Sequence, residues 1–218
     1  MMQYPIVPAI IPRSQHEVVE LAKQLRFSPE LHLDVVDGVF VPDISWPYEP
    51  AGQPIVVKAD TDWYTLEVDL MVADPLPAAT AWLAAGVDML VFHLETITVE
   101  DLERFVATTQ VSIGISLHGD TPLPALEPYL PLVDYVQLMG IYQIGSQGQP
   151  FADAVLENIV DMKVRHPDLM VSVDGSVNQH TIKRLQQAGA DRFIVGSAIV
   201  GQPDPKVAHG ALAALINS

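Results

Sequence analysis

ELHLDVVDGVFVPD, Glu30–Asp43, reads as a strand running into a loop. Side chains alternate across a strand, so His32, Asp34 and Val36 share one face and Leu31, Leu33 and Val35 the other. An imidazole and a carboxylate are thus neighbours near the strand's C-terminal end. Asp37-Gly38 then turns the chain, because glycine tolerates a positive φ. Taken alone, the run serves equally as a polar strand end with an Asp-Gly turn.

The segments on either side repeat one pattern: an apolar strand-like run, then a helix-like one. Ile6–Ile11 is a first strand and Ser14–Leu25 a helix that Ser14 can cap. After strand two, Leu31–Val36, the region Ile44–Trp63 is rich in Pro and Asp/Gly, so its helix is short or irregular. Strand three is Leu66–Met71, with a Pro-opened helix over about Pro75–Ala85. Asp88–His93 is strand four, with a helix over Val99–Thr108. Val111–Leu117 is strand five, with a short, proline-interrupted helix over Pro122–Leu130. Strand six is Val133–Met139. The loop IYQIGSQGQ follows, then a helix over about Phe151–Arg165. Leu169–Asp174 and Arg192–Val195 are strands seven and eight, followed by helices over Gln179–Ala188 and Pro205–Ile216. Alternating strands and helices point to a parallel sheet with crossover helices.

Eight such units close into a (β/α)8 TIM barrel, one domain over residues 1–218, whose site lies at the C-terminal strand ends. His32, Asp34, Asp69, His93, Met139, Asp174, Gly196 and Ser197 all fall at or near those ends. The 218 residues are 49% hydrophobic and 17% charged, enough for one large core. No apolar run reaches the ~18 residues of a membrane span. The N-terminus, MMQYPIVPAIIPRS, lacks a basic region and reads as strand, not signal peptide. There is no Cys, which fits a cytoplasmic protein and excludes thiolate metal sites. The net charge of −16, from 11 basic and 27 acidic residues, repels nucleic acid and anionic membranes. It repels phosphate too, so a phosphate site here has to rely on backbone N–H groups and helix N-termini.

Four runs resemble the ribulose-phosphate 3-epimerase family: HLDVVDGVFVPD (32–43), VDLMVADP (68–75), VSVDGSVNQHTIKRLQQAGAD (171–191) and FIVGSAIVG (193–201). VFHLET (91–96), SLHGDTPL (116–123) and VDYVQLMGI (133–141) match more weakly, and all seven keep the family's order. The resemblance implies a barrel of the ribulose-phosphate-binding type that interconverts ketose phosphates epimeric at C3. It implies that Asp34 and Asp174 are the two acid/base groups. It also implies one divalent metal ion (Zn2+, Mn2+, Fe2+ or Mg2+) on His32, Asp34, Asp69 and Asp174. Phosphate and substrate contacts then fall to Met139, Gly148, Gly175, Ser176, Gly196 and Ser197. The expected partner is a small phosphorylated sugar, with no nucleic acid and no membrane. The family forms homo-oligomers, and a dimer is the expectation here.

The chain departs from the family pattern at several positions. Asp69 stands where the strand-three pattern has His, which makes the ligand set harder and more anionic and shifts it from zinc toward manganese, magnesium or iron. Alternatively Asp69 marks a lost metal site. Pro12 replaces a Ser that lines the family's site, and Val36 replaces a Met. Ser176 replaces a second Gly. The strand-six loop, Tyr142–Gln149, lacks the family's Pro and double Gly. His93 reads equally as a site residue and as a satisfied core histidine. Trp46, Trp63 and Trp82 read as core or interface, and His16, His166, His180 and His209 as solvated. Three functions remain open: a pentulose 5-phosphate 3-epimerase, an epimerase for a six-carbon ketose phosphate, and a non-catalytic phosphosugar-binding barrel.

Overall fold

The computed structural model describes residues 6–54, 63–146 and 148–216. Eight strands pair in parallel, each with the next and the last with the first. They are β1 (Ile6–Ile10), β2 (Glu30–Val36), β3 (Thr65–Met71), β4 (Met89–His93), β5 (Ser112–Leu117), β6 (Tyr135–Met139), β7 (Met170–Asp174) and β8 (Arg192–Val195). The closed barrel is that of a TIM fold. Around it run α1 (Gln15–Gln24), α2 (Pro75–Ala84), α3 (Val99–Val106), α4 (Ala154–Arg165), α5 (Ile182–Ala188) and α6 (Pro205–Ile216). Among the described residues no helix is long and apolar enough to cross a membrane.

Local chemistry sets the element ends. Ser14 caps α1 as expected, its Oγ accepting the Glu17 N–H at 3.1 Å. Strands four and six start later than the sequence suggests, at Met89 and Tyr135. The Asp just before each turns back to the preceding strand: Asp88 accepts the Leu66 N–H and Asp134 the Ile113 N–H, both at 2.8 Å. Asp191 does the same for Val171 at the foot of β8, also at 2.8 Å. These carboxylates satisfy backbone donors where the ladder begins. The short, proline-interrupted helix expected over Pro122–Leu130 is a 3-10 helix, Leu123–Leu126, not an α-helix, and leads into a second, Leu130–Leu132. Its prolines remove the N–H groups that an α-helix needs. Helix α5 begins at Ile182, not Gln179, because the Thr181 hydroxyl accepts the Asn178 N–H and the Asn178 side chain the His180 N–H. Helix α4 begins at Ala154. Of Ile44–Trp63, residues 44–54 are turns and bends, and 55–62 lie outside the described residues, as do residues 1–5.

The main core lies between barrel and helices. Leu31, Leu33 and Val35 face it, as alternation requires, together with Leu66, Val68, Leu70 and Phe92. Val18, Ala22, Trp82, Leu102, Ile159 and Leu185 meet them from the helices. Burying each large side chain contributes about 1.5–3 kcal/mol. Trp46 packs edge-on against Trp82, so both are core residues; Trp63 is partly exposed beneath the Arg26 guanidinium.

The barrel interior is different. Such interiors are usually filled by branched apolar side chains. Here two small apolar groups, Val7–Ala9–Ile194 and Met89–Val91–Tyr135, share the space with Glu30, His32, Glu67, Asp69, His93, Gln137 and Arg192, all buried.

Candidate active site

Strand β2 places His32 and Asp34 on the inward face, one pleat apart. Strand β3 lies in register, with His32 opposite Glu67 and Asp34 opposite Asp69. The pairing brings four titratable side chains together. His32 Nε2 lies 3.0 Å from Asp34 Oδ1, and its Nδ1 lies 2.5 Å from Glu67 Oε2. Asp69 accepts from Gln137 Nε2 at 2.7 Å and meets His93 Nε2 at 3.0 Å. His93 is therefore a buried partner of Asp69, with Phe40 packed on its ring.

Below this layer lies a buried ionic chain. The Arg192 guanidinium donates to both oxygens of Glu67, at 2.9 and 2.8 Å, and through Nε and Nη2 to Glu30 Oε2, at 3.1 and 2.8 Å. Tyr135 donates its hydroxyl to Glu67 Oε1. Burial alone would raise the pKa of Glu67, but Arg192, and then His32, outweigh it and hold the carboxyl far below the ordinary range. Burial alone would lower that of His32, but Glu67 and Asp34 raise it well above the usual imidazole value.

Asp34 and Asp174 open onto the barrel mouth. Both line one cavity of about 220 Å³ with Met139, Gly148, Gly175, Ser176, Gly196 and Ser197. Every residue assigned from sequence to substrate or phosphate thus meets both carboxyls at one place. No Lys or Arg lines the cavity among the described residues. The pKa of Asp174 is raised well above its usual value, by burial first and then by Asp34. That of Asp34 is raised as well, by burial, against the opposing effect of His32. The Asp37 carboxylate holds the turn expected after β2, accepting the Val39 and Phe40 N–H groups and, from the β3 loop, that of Ala73. Gly38 has φ +75°.

Beyond β7, Gly175 has φ +94° and Ser176 φ +52°. A non-glycine residue rarely adopts that conformation. Here the Ser176 hydroxyl donates to the Gln149 carbonyl, and the Ser176 carbonyl accepts from Asn178 and Thr181. The first of these bonds ties the loop after β7 to the loop after β6, and the other two brace the β7 loop itself.

His32, Asp34 and Asp69 each offer a ligand atom, and the three atoms lie within 4.8 Å of one another. The donors are one imidazole and two carboxylates, a set suited to a borderline or hard divalent ion. The charge count agrees. Glu30, Asp34, Glu67, Asp69 and Asp174 place five carboxyl groups around Arg192 and His32, and buried anions need cations or protons. Asp174 stands apart from the close trio but near enough for Asp34 to raise its pKa.

The comparisons with known proteins fit this geometry. Residues 4–200 match the model of the ribulose-phosphate 3 epimerase family. The chain belongs to the ribulose-phosphate 3-epimerase family. Its class of activity is therefore that of an isomerase, an epimerase acting on carbohydrates. A ribulose-phosphate 3-epimerase of Bacillus subtilis is 34% identical over 186 residues, covering 82% of each chain. One of Mycobacterium tuberculosis is 30% identical over 216 residues, covering 95% of this chain and 90% of that one. Among solved structures, 3-keto-L-gulonate-6-phosphate decarboxylase from Vibrio cholerae superposes with a TM-score of 0.75 at 14% identity, covering 99% and 98% of the two chains. A 3-hexulose-6-phosphate synthase superposes with a TM-score of 0.72 at 20% identity, covering 97% and 99%. At such identities the likeness is one of fold.

Sequence reasoning missed Glu67, Arg192, Tyr135, Gln137 and Glu30. The signal for Glu67 was present: TLEVDLM alternates as ELHLDVV does, so Glu67 shares the face of Asp69. His209, expected in solvent, instead packs half-buried on Phe27 and reaches the Ile6 carbonyl.

Proposed function

We propose that this protein is a metal-dependent ketose-phosphate 3-epimerase that interconverts ribulose 5-phosphate and xylulose 5-phosphate. The observation that carries the reading is the pair Asp34 and Asp174, two carboxyls of raised pKa facing one cavity from strands three steps apart round the barrel. Epimerisation needs one group on each face of the reacting carbon. One carboxylate takes the C3 proton as the C–H electron pair moves into an enediolate. The opposite carboxyl then returns a proton to the other face. A raised pKa suits both tasks, because each group must hold a proton near neutrality in one direction of the reaction.

His32, Asp34, Asp69 and Asp174 would hold the divalent ion, which when bound supplies positive charge toward the enediolate oxygens. Asp69 in a His position favours manganese, iron or magnesium over zinc. Gly148, Gly175, Ser176, Gly196 and Ser197 bind the phosphate through backbone N–H groups, in keeping with a cavity whose described lining residues include no Lys or Arg, while Met139 packs against the sugar. The reading is of one barrel domain, a cytoplasmic enzyme and a homodimer, supported by the lack of Cys and by the family.

A groove opening beside the cavity, sharing Ile11, Gly145 and Ser146 with it, favours a second reading with a six-carbon ketose phosphate. The test is a panel of pentulose 5-phosphates and hexulose 6-phosphates, followed by kcat/KM with each metal. A preference for ribulose 5-phosphate is expected. A preference for a hexulose 6-phosphate selects the second reading, and turnover of neither rejects both.

A further inference from the structure

The mechanism above uses His32 but not the carboxylate behind it. Glu67 is fully buried and holds four hydrogen bonds with three side chains, His32, Tyr135 and Arg192, the last contributing two through one nitrogen. Its Oε1 is occupied by the Tyr135 hydroxyl and Arg192. Its Oε2 is shared between Arg192 and His32 Nδ1. Arg192 is fixed in turn by Glu30, so its planar guanidinium cannot rotate away from Glu67. An ionised carboxylate accepts and never donates. Held in this way, it fixes the proton of the facing imidazole nitrogen.

We propose that Glu67, clamped by Arg192 and Tyr135, is a positioning residue that holds the neutral His32 ring as its Nδ1–H tautomer and so leaves Nε2, 3.0 Å from Asp34 Oδ1, as the unprotonated nitrogen facing the ligand cluster of Asp34 and Asp69. Metal-bound histidines commonly need this support, since the hydrogen bond on one ring nitrogen decides which nitrogen can ligate. Strand pairing builds the arrangement, because the register that sets Asp34 opposite Asp69 sets His32 opposite Glu67 one pleat below. Gly114 on β5 makes room for Tyr135, whose ring occupies the space a Cβ would need. The consequence for metal binding rests on the reading of His32 as a ligand; the tautomer does not.

Glu67→Gln tests this with little change in shape. Tyr135 and Arg192 both donate at Oε1, so the new carboxamide oxygen settles there, and its NH2 group takes the Oε2 position, gives up the second Arg192 bond and faces His32. Nδ1 must then accept, and the ring proton moves to Nε2. Arg192 keeps Glu30 as a counter-ion, so the variant should fold. The readout is the long-range 1H–15N imidazole spectrum of metal-free protein, recorded in alkaline buffer with the ring neutral. The expected result is the Nδ1–H tautomer in wild type and a shift to Nε2–H in Glu67→Gln. An Nε2–H wild type, or no difference between the two proteins, overturns the proposal. Should Glu67→Gln be insoluble, Glu67→Asp, which withdraws the carboxylate by one methylene, should loosen the Nδ1–H bond and move that proton signal upfield; an unmoved signal again overturns it.

Mn2+ titration of the same EDTA-treated proteins adds the functional readout. Glu67→Gln should bind about 10–100-fold more weakly than wild type. A purely structural role would lower Tm and leave the affinity of the folded fraction unchanged. Wild type that shows the expected tautomer but binds no divalent ion would count against the metal site of the proposed function and leave the positioning role of Glu67 supported.

Discussion

Asp174 and Asp69 are the side chains at which the proposed chemistry is most directly tested. Asp174→Asn keeps the shape and removes the carboxyl proposed to exchange a proton, so turnover should fall below detection with Tm nearly unchanged. Turnover within a few-fold of wild type would remove Asp174 from the acid/base pair. Asp69 is held by two neighbours, His93 and Gln137, and a histidine in its place has only one acceptor nitrogen. If Asp69 ligates, Asp69→His should preserve or raise zinc affinity relative to manganese, measured by competitive titration. An unchanged metal preference would mean that Asp69 is not a ligand. The residues facing the cavity were legible in sequence because their motifs are local runs, such as Asp174-Gly175-Ser176 and Gly196-Ser197. Arg192 was not. It stands at the first position of β8, and only the closed barrel carries it to Glu30 and Glu67, 162 and 125 residues away in the chain.

The strands were legible for a related reason. A barrel strand buried on both sides reads as a continuous apolar run, and β2 and β3 keep enough alternation to show which face carries the polar groups. Their ends were less so. Asp88 and Asp134 look like strand residues in sequence, yet each lies just outside; with Asp191 they serve the neighbouring strand, a role that only the three-dimensional pairing reveals. Strand β5 contributes through what it lacks. Gly114 leaves the space that Tyr135 fills on its way to Glu67. Gly114→Ala should overpack that space, cost about 1–3 kcal/mol and lower Tm by several degrees in thermal unfolding. An unchanged Tm would show that Tyr135 has somewhere else to go.

The whole molecule combines a strongly negative net charge with a cavity proposed to take an anion. At a net charge of −16 and with no Lys or Arg among the described residues of the cavity lining, long-range forces oppose the approach of a sugar phosphate. Screening that repulsion should raise kcat/KM as ionic strength increases toward ~0.15 M, where the Debye length is about 8 Å. A fall over that range would mean that a local positive field guides the substrate after all. The polar barrel interior is the second global feature. It places a chain of buried charge, Arg192 to Glu67 to His32 to Asp34, beneath the cavity, so the fold's core and its chemistry share residues. The central claim is that Asp34 and Asp174 act from opposite faces of one carbon. Its most direct test is NMR of ribulose 5-phosphate with the protein in D2O, with Mn2+, Zn2+ and Fe2+ in separate samples. The account predicts loss of the C3 proton signal as the xylulose epimer appears, with manganese or iron more effective than zinc. Exchange without the epimer would leave one carboxyl working and the other misplaced, and no exchange with any metal would contradict the two-carboxyl mechanism for this substrate.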